Sequence, residues 1–387
     1  MTNFLSKCNT YIHTGNKSEL TSSTSKSRNV TFDIAKGLGI ILVVLSHTQC
    51  PSKYFICLFH MALFFIISGY FFKQYYYKDV ENIKIFIKKR IKSLYLPFII
   101  CNSCFIMLHN LFLKINFYTS NATFSKLLRF SEYYNLPVLL KKFFYTSIMA
   151  TGELLTPALW FLKVLFILSI SFCIGSYIID KITKKYFELT RGCICFLCLL
   201  FGYYLYIQNF NFYQIGTIFS TTILFYLGIL YKNFQNKINI NLLTFLLSFG
   251  ILILCLDFNK TKFFIANNYY NNPIWLILAS ISGFFFILYI SKVLSNNLFC
   301  SKLLSYIGQH TIIILCMHIL FFKIITYLQV LIYNQPDYML AAFPTLFNQN
   351  GWWIAYGIVG IAGPLITLEV YKKLKQNINN KLQRLFH

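Results

Sequence analysis

Charge is what this sequence has least of. Only 12% of its 387 residues are Asp, Glu, Lys or Arg, about half the usual share of a soluble domain, so an ordinary water-soluble fold is excluded. Acidic side chains are scarcer still, 11 against 35 Lys and Arg, for a net charge of +24. The prolines sit mostly at the ends of apolar runs (Pro51, Pro97, Pro157, Pro273). Spans broken by Pro or Gly at matching places, the mark of many transporters, are therefore lacking, as is any internal repeat. No Gly-x-Ser-x-Gly elbow points to a serine nucleophile. Residues 1–29 carry no apolar run of the kind a cleavable signal needs and read as a disordered polar tail. The 12 cysteines fall mostly inside apolar runs, where a thiol behaves as a small hydrophobe. Even CICFLC (193–198) has no second ligand cluster, so no metal and no permanently bound cofactor are expected. Cys50 and Cys57 flank a turn and read as two free thiols rather than a bridge.

What is present is apolar: 57% hydrophobic and 19% aromatic residues. Apolar runs fall at about 34–49, 56–72, 94–113, 158–179, 192–208, 215–231, 241–257, 274–291, 309–331 and 352–371. The expected fold is an all-α polytopic membrane bundle of about ten transmembrane helices over 30–372, with a short tail at 373–387. The lipid bilayer is the expected surrounding. Nucleic acid is not an expected partner, because the basic residues lie in the gaps between runs and form no soluble patch. With the N-terminus inside, the inner segments hold 25 Lys and Arg and the outer ones 8. That asymmetry predicts both termini in the cytoplasm of a cell-membrane protein. The one long gap, 114–157, contains LPVLLKKFFYTSIMA (136–150), which reads as an interfacial amphipathic helix or a lid.

Ionisable residues at membrane depth are costly and mark candidate sites. His47 closes the first run and His60 opens the second. Lys36 stands eleven residues before His47, about three helical turns, so the two share a face about 16 Å apart. Counting back from Lys73 puts His60 at a similar depth, about 19 Å. Asp33, three residues before Lys36, either pairs with it or meets substrate. Lys163, three residues after Trp160, sits deep or snorkels. His318 and Lys323 lie in the ninth run, and His109, near the end of its run, reads as interfacial.

The stretch FDIAKGLGIILVVLSH resembles the opening signature of the acyltransferase 3 family of integral membrane acyltransferases. FHMALFFIISGYFF (59–72) looks like that family's second-helix motif, and KKRIKSLYLPF (88–98) is similar to its basic entry to the third. ALWFLKVLF (158–166) and IGQHTIIILCMH (307–318) resemble later landmarks, in order, over nearly the whole chain. The resemblance implies transfer of an acyl group, usually acetyl, from cytoplasmic acyl-CoA to a hydroxyl at the outer side. Acetyl-CoA would be a substrate, and the acceptor a cell-surface glycan or its lipid-linked precursor. The opening DIAKG is closest to the sugar O-acetylase branch. The family's basic-x10-histidine pair maps onto Lys36 and His47, with lysine where arginine is commoner. His47 is the expected base, a dipole or His60 the oxyanion stabiliser, and Ser68 with Gly69 shapes the second helix near the thioester. Trp160, Lys163, His318 and Asp33 are further candidates for substrate or donor contact. The competing readings are a flippase or transporter for glycolipids and a partner protein that has lost its chemistry.

Overall fold

In a bilayer each backbone N–H and C=O must be satisfied within its own segment, and every long apolar run of this chain accordingly forms a helix. The computed structural model describes residues 29–121, 131–150, 152–259 and 263–385. The tail before Asn29, and Lys126, Arg129, Lys260 and Lys262 of the charge count, lie outside these residues. Among the described residues nine helical stretches are long and apolar enough to cross a membrane, and Leu242–Phe258 is a shorter apolar one. The chain is a polytopic all-α bundle.

The helices are α1 (Val30–His47), α2 (Lys53–Cys57), α3 (His60–Tyr70), α4 (Val80–Arg90), α5 (Leu96–Lys114), α6 (Leu136–Ser147) and α7 (Trp160–Ile182). They continue as α8 (Phe187–Ile207), α9 (Ile215–Phe234), α10 (Leu242–Asn259), α11 (Pro273–Leu294), α12 (Leu298–Gln309), α13 (Thr311–Ile332) and α14 (Trp352–Leu385). Asn29 caps α1 by accepting from the Phe32 N–H at 3.3 Å, one of the first-turn donors that the helix cannot satisfy itself.

Three features depart from simple spans. The second run is broken at Leu58 and Phe59, so that α2 ends and α3 restarts at His60. Ahead of the third span the helix extends back to Val80 and passes through a π turn, Ile91–Tyr95. Pro97 explains the turn: it has no N–H to give and its ring crowds the carbonyl four residues back. Third, α12 lies in a gap between apolar runs and packs along α1.

Helix α1 is the centre of the bundle, touching α3, α11, α12, α13 and α14. Its contact with α12 is at backbone distance. A Cβ added to Gly37 would stand 2.2 Å from the Leu304 carbonyl oxygen, and one added to Gly308 only 1.9 Å from the Asp33 carbonyl oxygen. The pair Gly69 and Gly228 does the same for α3 and α9, against the Phe225 and Ile66 carbonyls. In lipid, where the solvent is as apolar as leucine, such small-residue contacts supply the packing that holds helices together. The expected amphipathic helix is present as α6, with Leu136, Leu140 and Phe144 exposed along one face at helical spacing.

Gly308→Val must part α1 from α12. Overpacking of this kind costs about 1–3 kcal/mol, and thermal unfolding of purified protein should show a lowered Tm for Gly308→Val and little change for Gly250→Val, which has open space around it. An unchanged Tm for Gly308→Val would contradict the contact.

Candidate active site

The Gly37–Gly308 contact also sets the depth of two histidines. His47 lies ten residues after Gly37 on α1, a climb of about 15 Å, and His318 lies ten residues after Gly308, across the helix break at His310. Their rings meet with centroids 5.2 Å apart. His318 is about 10 Å from the start of α13 and about 21 Å from its end, a third of the way along that helix, while His47 closes α1. His60 and Lys53 stand close enough for their charges to act on the His47 ring.

Two of these rings are oriented by backbone. At the break in the second span the Ile56 carbonyl accepts from the Phe59 N–H at 3.2 Å, and His60 Nδ1–H donates to it as well, at 2.8 Å. His318 Nδ1–H donates to the Ile314 carbonyl at 2.9 Å. A carbonyl only accepts, so in each neutral ring Nε2 remains as the nitrogen that can act on a partner. His318 Nε2 is buried and has no hydrogen-bond partner among the described residues.

The remaining sequence candidates separate from this cluster. Lys36 pairs with Asp33 at 2.6 Å and lies 5.7 Å from the Phe71 ring centroid, at the end of the bundle where the chain enters α1. Of the two readings for Asp33, pairing is the one observed. Ser68 is about 12 Å along α3 from His60, towards that same end, and is half-buried. Lys323, buried, donates to the carbonyls of Leu340 (2.8 Å) and Ala342 (2.9 Å), tying the loop before α14 to α13. Trp160 and Lys163 begin α7 and face a different space. Cys50 and Cys57 are free thiols, and burial raises the Cys50 thiol above its ordinary range.

Residues 29–369 match the acyltransferase domain of the acyltransferase 3 family. The chain belongs to this family. No curated protein and no solved structure matches it. It is thus a multi-pass membrane acyltransferase.

In this acyltransferase Trp160 and Lys163 line a cavity of about 390 Å3, together with Asn102, Glu153, Thr156 and Gln214. Lys163 is buried, with its Nζ 4.4 Å from the Tyr213 ring centroid. Its ammonium is turned toward the Phe212–Gln214 turn ahead of α9.

Behind one wall of the cavity lies a cluster that the sequence reading missed. His109 is fully buried rather than interfacial, because residues 115–121 and 131–153 fold back over the end of α5. Its Nε2–H donates to the Glu132 carbonyl at 3.0 Å, and its Nδ1 lies 3.1 Å from Glu153 Oε2. Tyr134 stacks on the His109 ring at 3.5 Å and donates its hydroxyl to Glu153 Oε1 at 3.0 Å. Burial, with Glu153 beside it, pushes the nearby Tyr118 hydroxyl well up from its ordinary value. Asn110 holds the Tyr134 backbone through both its amide atoms, at 2.8 and 2.9 Å. The one sequence signal for this cluster is the polar pair His109–Asn110 inside an apolar run; Glu153 lies in a loop, where an acid carries no periodic signature.

Breaking a buried, hydrogen-bonded pair costs about 3–5 kcal/mol. Glu153→Leu and His109→Leu should each destabilise the protein by that order, and the double variant by clearly less than the sum. Additive losses in thermal unfolding would show that the two side chains are not coupled.

Proposed function

We propose that this acyltransferase moves an acetyl or other short acyl group from cytoplasmic acyl-CoA to a hydroxyl of a cell-surface glycan or its lipid-linked precursor. The observation that carries the reading is the meeting of His47 and His318 inside the bundle, with His60 beside them. A donor from one side and an acceptor from the other reach such a place only by meeting there. The charge asymmetry of 25 against 8 basic residues supports cytoplasmic termini, with Lys36 at the inner end and the segment before α7 outside.

His47 is the base. Its imidazole takes the proton of the acceptor hydroxyl as the oxygen attacks the thioester carbonyl. The carbon–sulfur bond then breaks, and the leaving thiolate takes the proton back from the imidazolium. The oxyanion between these steps needs a donor, which His60 or a backbone dipole supplies. His318 stands against the His47 ring, and its unspent Nε2 is placed to meet donor or acceptor. Lys36 attracts the anionic donor as a point charge, sharing that charge with Asp33. Lys78, Lys181 and Lys184 rim a cleft of about 530 Å3 at the same end, lined also by Asp180 and Glu188, with Lys78 paired to Asp180 at 2.9 Å.

Acetyl transfer by purified protein tests this. His47→Ala, correctly inserted, should lose about 10²- to 10⁴-fold in rate, the contribution of a general base. A near wild-type rate would remove His47 from the chemistry. For Lys36 the kinetic split decides. Lys36→Met should raise the KM for acetyl-CoA more than it lowers kcat, and Lys36→Arg should keep most activity. A donor KM unchanged in Lys36→Met would leave Lys36 as a topology anchor only.

A further inference from the structure

The cavity beneath Trp160 is walled off by different residues from the histidine cluster, and two of its polar groups are unspent. Lys163 is buried yet has no ion-pair or hydrogen-bond partner among the described residues, only the face of Tyr213. Gln214 Oε1 is buried with no hydrogen-bond partner among them either. Around these two the other polar side chains are satisfied. Thr156 Oγ1–H donates to Asn102 Oδ1 at 2.7 Å, Asn102 Nδ2–H to the Phe98 carbonyl at 3.0 Å, and Glu153 is held by Tyr134 and His109. The cavity thus offers a ligand one cationic donor, one neutral acceptor and an indole.

The backbone holds this arrangement at a cost. Tyr213 and Gln214 are consecutive non-glycine residues in the left-handed region, at φ 52° and 62°. Each such residue costs about 1–3 kcal/mol and persists only where its surroundings demand it. Here the demand is met by anchoring: the Tyr213 hydroxyl donates to the Ile148 carbonyl while its ring faces Lys163. That turn delivers Gln214 into the cavity wall.

We infer that this cavity is the binding site for a sugar ring of the acceptor, with Trp160 under the ring and with Lys163 and Gln214 on its hydroxyls. The chemistry of the two unspent groups selects the ligand. A hydroxyl accepts from Lys163 and donates to Gln214 Oε1 at once. An acyl chain would bury both without a partner, at about 1–3 kcal/mol each or more. A volume of about 390 Å3 lies within the range of small-molecule sites, about 300–1,000 Å3. The wall is shared with the histidine centre. Helix α13, which carries His318, packs against the Pro157–Leu159 turn, and the Cys101 thiol beside Asn102 donates to the Cys316 carbonyl at 3.8 Å. This inference deepens the glycan-acceptor reading and rests on it, but its test reads binding alone.

Full-length protein in lipid nanodiscs, free of glycoside detergent, is examined by saturation-transfer NMR. The probes are the methyl glycosides of glucose, galactose, mannose and N-acetylglucosamine, with octanoate and inorganic phosphate as apolar and anionic controls. At least one glycoside should receive saturation at its ring protons. Its affinity should fall about fivefold to tenfold in both Gln214→Ala and Lys163→Met, the loss expected for one hydrogen bond, and should persist in His47→Ala. No glycoside binding, binding unchanged in both cavity variants, or occupation by octanoate or phosphate instead would overturn the assignment. Glycoside binding that follows this pattern without acyl transfer would sink the transferase scheme and leave the sugar site standing. Transfer to a glycan that is indifferent to Gln214→Ala and Lys163→Met would do the reverse.

Discussion

The backbone contact between α1 and α12 is the constraint on which the centre of this protein depends. Two glycines, Gly37 and Gly308, let the helices approach until a single added carbon would collide with a carbonyl oxygen. Because α12 turns at His310 straight into α13, that contact fixes where α13 begins relative to α1. Beyond it, α1 and α13 run on until His47 and His318 meet. A membrane bundle has little hydrophobic force with which to choose one helix register over another, so a steric lock of this kind decides it.

Two polar systems sit on this frame and are handled in opposite ways. The loop-side cluster of His109, Glu153 and Tyr134 is satisfied throughout, and it pins the 131–153 segment to α5. The histidine centre and the Trp160 cavity instead keep groups unspent: His318 Nε2 in one, Lys163 and Gln214 Oε1 in the other. Within an apolar bundle an unpaired polar group is costly, and groups kept in that condition are the natural places for substrate. The satisfied cluster holds the wall, and the unsatisfied groups face the spaces that it shapes.

The break in the second span shows how local chain chemistry serves the centre. Where α2 ends at Cys57 and α3 restarts at His60, the Ile56 carbonyl accepts from the Phe59 N–H and from the His60 imidazole together. The ring is thereby held in one orientation by its own backbone. On the neighbouring helix, Gly283 makes room for Phe59 at the break, where an added Cβ would lie 2.0 Å from that of the phenylalanine.

The sequence by itself determined the class of fold, most of the spans and the separation of Lys36 from His47 along the first helix. Each of these rests on a property that is local along the chain. An apolar run must become a helix in lipid, and eleven residues of helix separate Lys36 from His47 wherever that helix is placed. The motifs in order from FDIAKG to IGQH were enough to indicate the family over nearly its full extent. Only the tertiary structure decided that His318 is the partner of His47 and that Lys323 is spent on two loop carbonyls. It alone buried His109, which its place at a helix end made look interfacial, against Glu153 from a loop with no periodicity to read. The reason is the same in each case. Apolar text specifies that a helix lies in the membrane but hardly which face meets which neighbour, and a site made between helices is set by those faces.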